Sequence, residues 1–225
     1  MKNLKYIVLF LLLPIILYSC TDKMTTNNPQ QGEVKENKYP SSEDAVQNGK
    51  NDLMALLKNK SFNIDIDAAA LEKSIPNTPI PVYEVSFERL LTSESDSLAT
   101  ISEDSRKLNT PLVTENKVIA VITTSKIENG WQLNEITNPS LSNDLNEIRG
   151  SLQMNAPISV FEIPNINATL YEAKMDGRAM YFTNYKGQSL RQPVPGDSLM
   201  KQLRVDAQIF QRKFGEQLKK GPLVK

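Results

Sequence analysis

Histidine does not occur in this chain of 225 residues, and cysteine occurs once, at Cys20. The first absence removes Ser-His-Asp and Cys-His catalysis, together with His-based zinc sites and every imidazole general base. The second leaves no internal disulfide, so stability rests on a packed core. Glycine is scarce, at nine residues, and none cluster into a phosphate-cradling loop. No EF-hand spacing is present, and no metal or other cofactor is expected. Charge is balanced as well, with 26 Lys and Arg against 26 Asp and Glu. Nucleic acid as a partner would need a basic stripe. The densest basic stretch, QRKFGEQLKKG near the C-terminus, contains Glu216 and reads as a solvated helix end. An enzyme built from what remains would work with carboxylate pairs, Lys, Tyr or a Ser-Lys pair.

Long apolar runs are missing too, apart from one at the start. Lys2 and Lys5 precede an apolar run from Tyr6 to Tyr18 that only Pro14 interrupts. Crossing about 30 Å of hydrocarbon as a helix takes roughly 20 residues, so the run is too short to span and fits a secretory signal. It ends in Leu17-Tyr18-Ser19-Cys20, which resembles the lipobox of bacterial lipoproteins, with Tyr18 bulkier than the usual residue there. That resemblance implies removal of residues 1–19 and acylation of Cys20, so the lipid bilayer becomes a partner. Thr21 follows directly; by resemblance to enterobacterial sorting, it favours the outer membrane, facing the periplasm. The Asn-, Lys- and Ile-rich composition is similar to that of lipoproteins from Bacteroidota. Residues 20–42 hold almost no large apolar side chains and read as a lipidated cysteine plus flexible tether. Residues 43–225 suit a single domain.

Within that domain, Ser41 and Asp44 stand at capping-box spacing before a helix that fades by Asn59. Phe62, Ile64 and Ile66 alternate as in a short strand, and Asp67 caps a short helix before Pro76. IPVYEVSFERLL reads as a strand throughout. The acidic, Ser-rich stretch Thr92 to Asn109 reads as a mobile loop. A hairpin follows, turning at Asn129-Gly130 with the type I′ signal. Asn138-Pro139 opens a helix with Leu141, Leu145, Ile148 and Leu152 on one face. PISVFEIP reads as a strand, a second hairpin turns at Asp176-Gly177, and a last helix runs from about Ser198 to Gly215. The expected fold is α+β, with a mainly antiparallel sheet of hairpins and helices packed on one face. VYEV (Val82 to Val85) and VFEI (Val160 to Ile163) echo each other, either through an old duplication or through a pattern strands share by chance. EIPNINATLYEAKMDGRAMYF resembles a pattern of exported bacterial proteins that names no activity.

Few residues stand out as candidates for a site. Asp65 and Asp67, with Glu72 nearby, could bind Ca²⁺ or serve a glycosidase; the plainer reading is a solvated strand running into a helix cap. Glu84 and Glu162 occupy equivalent places in the echo and either share a site or point outward independently. Ser198 and Lys201 match Ser-x-x-Lys, but the companion motifs of penicillin-binding enzymes are absent, and the plainer reading has Ser198 as a helix cap. Trp131, Tyr171, Tyr181, Phe182 and Tyr185 form either a ligand platform or the sheet's core. Asn59-Lys60-Ser61 and Asn167-Ala168-Thr169 match the glycosylation sequon by composition alone. The chain is therefore expected to be a membrane-anchored envelope lipoprotein acting as a non-catalytic binding or structural module. Its expected partners are an envelope protein or a small ligand. The alternative is a carboxylate-based hydrolase acting on envelope glycans or peptides.

Overall fold

A computed structural model describes residues 38–59, 64–152, 156–175 and 177–218. The expected signal sequence, Cys20 and the expected tether as far as residue 37 lie outside them. The expected boundary at 43 moves: strand β1 (Lys38–Tyr39) already pairs with the sheet. Helix α1 (Ser42–Asn59) follows at once. Ser41 Oγ accepts from the Asp44 amide at 3.0 Å and donates to Asp44 Oδ2 at 2.8 Å, which satisfies one of the helix's orphan N–H groups.

Residues 64–67 are irregular and not strand; Phe62 lies outside the described residues. Asp67 instead caps α2 (Ala68–Lys73), accepting from the Ala69 amide at 2.9 Å. The pair β2 (Ile75–Pro76) then leads to β3 (Ile80–Val85). VSFERLL is not strand throughout. Ser86 accepts from the Arg89 amide at 3.3 Å and starts α3 (Phe87–Thr92).

The predicted loop from Thr92 to Asn109 is largely regular structure. It forms α4 (Leu98–Ile101) and the first part of a long strand, β4 (Ser102–Thr114). Leu98 and Ile101 are buried and anchor the segment, its acidic residues are exposed, and the half-buried Ser102 and Ser105 donate to the Leu98 and Val82 carbonyls. β3 on one side and β5 (Lys117–Ile127) on the other take up the β4 backbone hydrogen bonds, overriding poor strand propensity. A bulge at Ser105 and Arg106, with Arg106 at φ +59°, absorbs the mismatch against Val82 and Tyr83.

The type I′ turn sits elsewhere than expected. Glu115 and Asn116 take φ of +48° and +63° between the paired Thr114 and Lys117. At the other hairpin the turn residues are Glu128 and Asn129, Asn129 is not left-handed, and Gly130 opens β6 (Gly130–Glu135). Gly130 is required for a different reason. Its φ is +134°, and a Cβ there would stand 2.5 Å from the Tyr39 carbonyl oxygen of β1. Gly177 has φ +75° but open space around it. Gly130→Val should therefore cost about 3 kcal/mol and Gly177→Val about 1 kcal/mol. Equal thermal midpoints for the two variants would contradict this placement of β1.

Asn138 caps α5 (Pro139–Ser151), and β7 (Ile158–Ile163), β8 (Ala168–Met175) and β9 (Arg178–Phe182) form the second meander. Asn167, the sequon residue, occupies the left-handed turn position before β8 at φ +51°. Asp176 lies outside the described residues. The strand order is β1-β6-β5-β4-β3-β7-β8-β9, with β2 also paired to β4. All pairings are antiparallel except β3 with β7. The fold is α+β.

Helices cover both faces of this sheet, not one. Along β7, Val160 packs into the cluster under α5, and the next residue, Phe161, packs into the opposite cluster. That second cluster holds α3, α4 and α6 (Gly196–Leu218), and α1 and α2 lie on the same face over Leu112, Ala120 and Ile122. Two covered faces explain why β7 and β8 bury residues on both sides, as at the successive residues Val160 and Phe161 and at Leu170 and Tyr171.

The echo strands are the parallel pair itself, in register as Val82↔Val160, Tyr83↔Phe161 and Glu84↔Glu162. Relating the two meanders by rotation would require an axis along the strands, which exchanges the sheet faces. Val82 and Val160 share one face, so that operation does not map the echo onto itself. Shared surroundings at adjacent positions account for the likeness.

A buried carboxylate fastens α6. Asp206 is 9% exposed and accepts from Tyr185 Oη at 2.9 Å and Gln202 Nε2 at 2.8 Å, with Lys186 Nζ at 3.5 Å. Burial alone would push its carboxyl up; the two hydrogen bonds and the ammonium together hold it below its ordinary value. A depressed carboxyl stabilises the fold above its unfolded pKa of about 4, and that contribution is lost as pH falls through the folded value. Asp206→Asn should therefore lower stability at neutral pH and flatten the acid limb of the stability curve. An acid limb identical to that of the parent would contradict the contact.

Candidate functional site

Helix α5 positions one of the clefts. Asn138 Oδ1 accepts from the Leu141 amide at 2.9 Å, and its Nδ2 donates to Glu135 Oε2 at 3.2 Å. Further along, Asn146 clasps the backbone of Val118 in both directions, at 2.8 and 2.9 Å. With Leu141, Leu145 and Ile148 buried, these contacts fix the helix over the sheet. The sheet beyond the α5 N-terminus stays open, leaving a cleft of two lobes that share Asn109, Asn138, Leu141 and Glu162. The inner lobe holds about 160 Å³ and adds Asp144, Thr169 and Tyr171. The outer lobe holds about 400 Å³ and adds Lys107, Thr123 and Glu135.

The polar groups of the cleft are already organised. Tyr171 Oη, at the end of a side chain that is 2% exposed, donates to Asp144 Oδ2 at 2.7 Å. Burial pushes the Asp144 carboxyl above its ordinary value and Glu147 adds to this, while the Tyr171 hydrogen bond opposes it. The Tyr171 hydroxyl is itself pushed well up, first by burial and then by Asp144. Lys107 Nζ stands 3.9 Å from Glu162 Oε2, a half-exposed pair worth under about 1 kcal/mol. Asn109 is 5% exposed, and its Oδ1 accepts from Thr123 Oγ1 at 2.9 Å. Tyr171→Phe should raise the Asp144 titration further, since a contact favouring the carboxylate is removed, and should cost about 1 kcal/mol. Carboxyl NMR would read the shift; an Asp144 titration that moves down would contradict the geometry.

The structure divides the sequence candidates. Glu162 lies in this cleft. Glu84 is its in-register neighbour on the same face but is exposed and lines neither lobe. Asp65 and Asp67 line a separate cavity of about 550 Å³ beside the β4–β5 turn, together with Glu115, Lys117 and Asn146. Both are exposed, Asp67 is engaged as the α2 cap, and no group among the described residues is placed to hold a metal ion. Trp131 is half-buried at the β1–β6 pairing and lines neither lobe.

No aromatic platform forms. Tyr171 and Phe182 fill the core under α5, Tyr181 fills the core under α6, and Tyr185 holds Asp206. Ser198 and Lys201 border a groove of about 500 Å³ with Asp96 and Arg204, but no hydrogen bond joins the two. Ser198 is not the helix cap either, because α6 begins at Gly196.

The reading from sequence missed Asp144, Asn109, Lys107, Glu135 and Asn138 as site residues. Asp144 offered one signal, a carboxylate directly beside the apolar stripe of α5. Among the described residues, no helix is long and apolar enough to cross a membrane. Comparison of the chain with protein-family models, curated proteins and solved structures finds no match.

Proposed function

We propose that this chain is an envelope lipoprotein, held on the outer membrane by acylated Cys20, whose domain binds a ligand in the cleft beside α5. The observation that carries the binding reading is that the carboxylates of the cleft each already have a partner: Tyr171 for Asp144, Lys107 for Glu162, Asn138 for Glu135. Groups fixed in this way need little reordering when a ligand arrives, which favours recognition. Cys20 and the residues around it supply the anchoring part of the reading, from sequence alone.

One observation favours the second reading, a carboxylate-based hydrolase. The Asp144 carboxyl is raised, first by burial, and it shares the inner lobe with Glu162; glycosidases work with two such carboxyl groups. One experiment separates the two. Purified full-length chain is incubated with glycan and peptide fractions from its own envelope. Binding predicts that a fraction is retained unchanged and that Glu162→Gln weakens its retention. Turnover that disappears in Asp144→Asn would replace the binding reading with the hydrolase.

A further inference from the structure

The ligand class can be narrowed from the cleft's donors and acceptors, on the premise that this cleft is the binding site. Asn109 is the informative residue. It is 5% exposed, lines both lobes, and only its Oδ1 is engaged. Its Nδ2 has no partner among the described residues, yet it is not one of the fully enclosed unpaired atoms. A buried amide donor thus opens onto the cleft and needs an acceptor from whatever fills it. Around it stand acceptors that keep free lone pairs: the second oxygen of Asp144 and the carboxylate of Glu162. Thr169 in the inner lobe and Lys107 in the outer lobe add further donors.

Simple ions match this set poorly. An anion would face Asp144, Glu162 and Glu135 against the single ammonium of Lys107. A cation would leave the Asn109 donor unmatched and would compete with Lys107 for Glu162. A neutral ligand whose groups both donate and accept can answer every member, because a hydroxyl can give its proton to a carboxylate while its oxygen accepts from an amide. The lining of the outer lobe also includes the largely buried Val82 and Leu141. Lobes of about 160 and 400 Å³ have room for one to a few hydroxyl-bearing rings. We infer that the cleft binds a polyhydroxyl ligand, a short saccharide segment, with Asn109 and Glu162 bridging hydroxyls on its floor and Asp144 reading the inner ring.

The test uses the full-length chain in a detergent without a sugar headgroup, with saturation-transfer NMR as the readout. The probes are N-acetylglucosamine trimer, mannotriose and cellotriose, with spermidine as the cation and inorganic phosphate as the anion. The expected result is saturation of at least one trisaccharide and of neither ion. Glu162→Gln should weaken that binding tenfold or more. Its side chain is 40% exposed, so the thermal midpoint should hold. Asn109→Asp, which exchanges the donor for an acceptor, should act in the same direction.

If Asn109→Asp does not fold, Glu162→Gln carries the test alone. Binding of spermidine or phosphate through Glu162, with no trisaccharide bound, would overturn the saccharide assignment and leave the binding reading standing. Trisaccharide binding indifferent to Glu162→Gln would overturn the location. No saturation of any probe would overturn the inference, while the envelope-fraction experiment decides the broader reading separately.

Discussion

Phe161→Ala should cost about 3–5 kcal/mol, the range for truncating a fully buried aromatic. Phe161 is 2% exposed and lies on β7, the strand joining the two meanders through the parallel β3–β7 pair. Its ring stacks on Tyr83 of β3, with centroids 5.2 Å apart and planes 21° from parallel. It shares a cluster with Ile163, Leu170, Leu203 and Ala207, so one side chain ties β3, β7, β8 and α6 together. Little nearby can collapse into the void, because α6 is independently fixed through Asp206. The matched control is Ile75→Ala. That side chain is 68% exposed, and its truncation should change stability by less than about 0.5 kcal/mol. Urea unfolding at constant m-value would measure both. A Phe161→Ala loss below about 1 kcal/mol would mean that this face of the sheet is not packed as described.

What the sequence made legible follows from how local each signal is. α5 was readable because Asn138, Pro139 and the Leu141-Leu145-Ile148 stripe act within one helix, and all of these behave as expected. α6 and the second hairpin were readable for the same reason. The stretch from Thr92 to Asn109 was not. Its composition favours a loop, and only the pairing of β4 with two neighbours, plus two buried anchors, makes it regular. The Glu115-Asn116 turn was missed because glycine is the usual marker of left-handed backbone, and here Glu115 and Asn116 adopt it. A helical stripe states that a helix is buried but not on which face of a sheet. So α5 was recognised as an element and misplaced in the architecture.

The cleft exists only because α5 lies on the opposite face from the other helices, which is why its residues could not be grouped beforehand. Lys107, Asn109, Asp144, Glu162 and Tyr171 come from four elements and have no common spacing. Glu162 was legible as a candidate because the VYEV and VFEI echo places it at the position equivalent to Glu84. Asp65 and Asp67 also stood out in sequence, and the plainer reading offered there holds for Asp67, which caps α2.

Cys20→Ala should abolish stable membrane association while leaving the domain intact. The lipobox-like Leu17-Tyr18-Ser19-Cys20 places the only thiol of the chain at the one position where acylation and cleavage would both occur. Each buried CH₂ of an acyl chain contributes about 0.8 kcal/mol; one chain holds marginally, and two or more hold firmly. Without the thiol no chain can be attached, and processing that depends on acylation should stop at the precursor. Parent protein should therefore run at the mass of an acylated chain beginning at residue 20 and partition into the detergent-rich phase. The variant should carry residues 1–19 and no acyl mass. Its folded domain should be unaffected, because the first described pairing begins at Lys38, well beyond the substitution. Thermal unfolding of the two forms would confirm that equality and separate loss of the anchor from loss of the fold. If Cys20→Ala were cleaved normally and remained in the detergent phase, the lipid would not be on Cys20, and the proposed attachment to the membrane would fall with it.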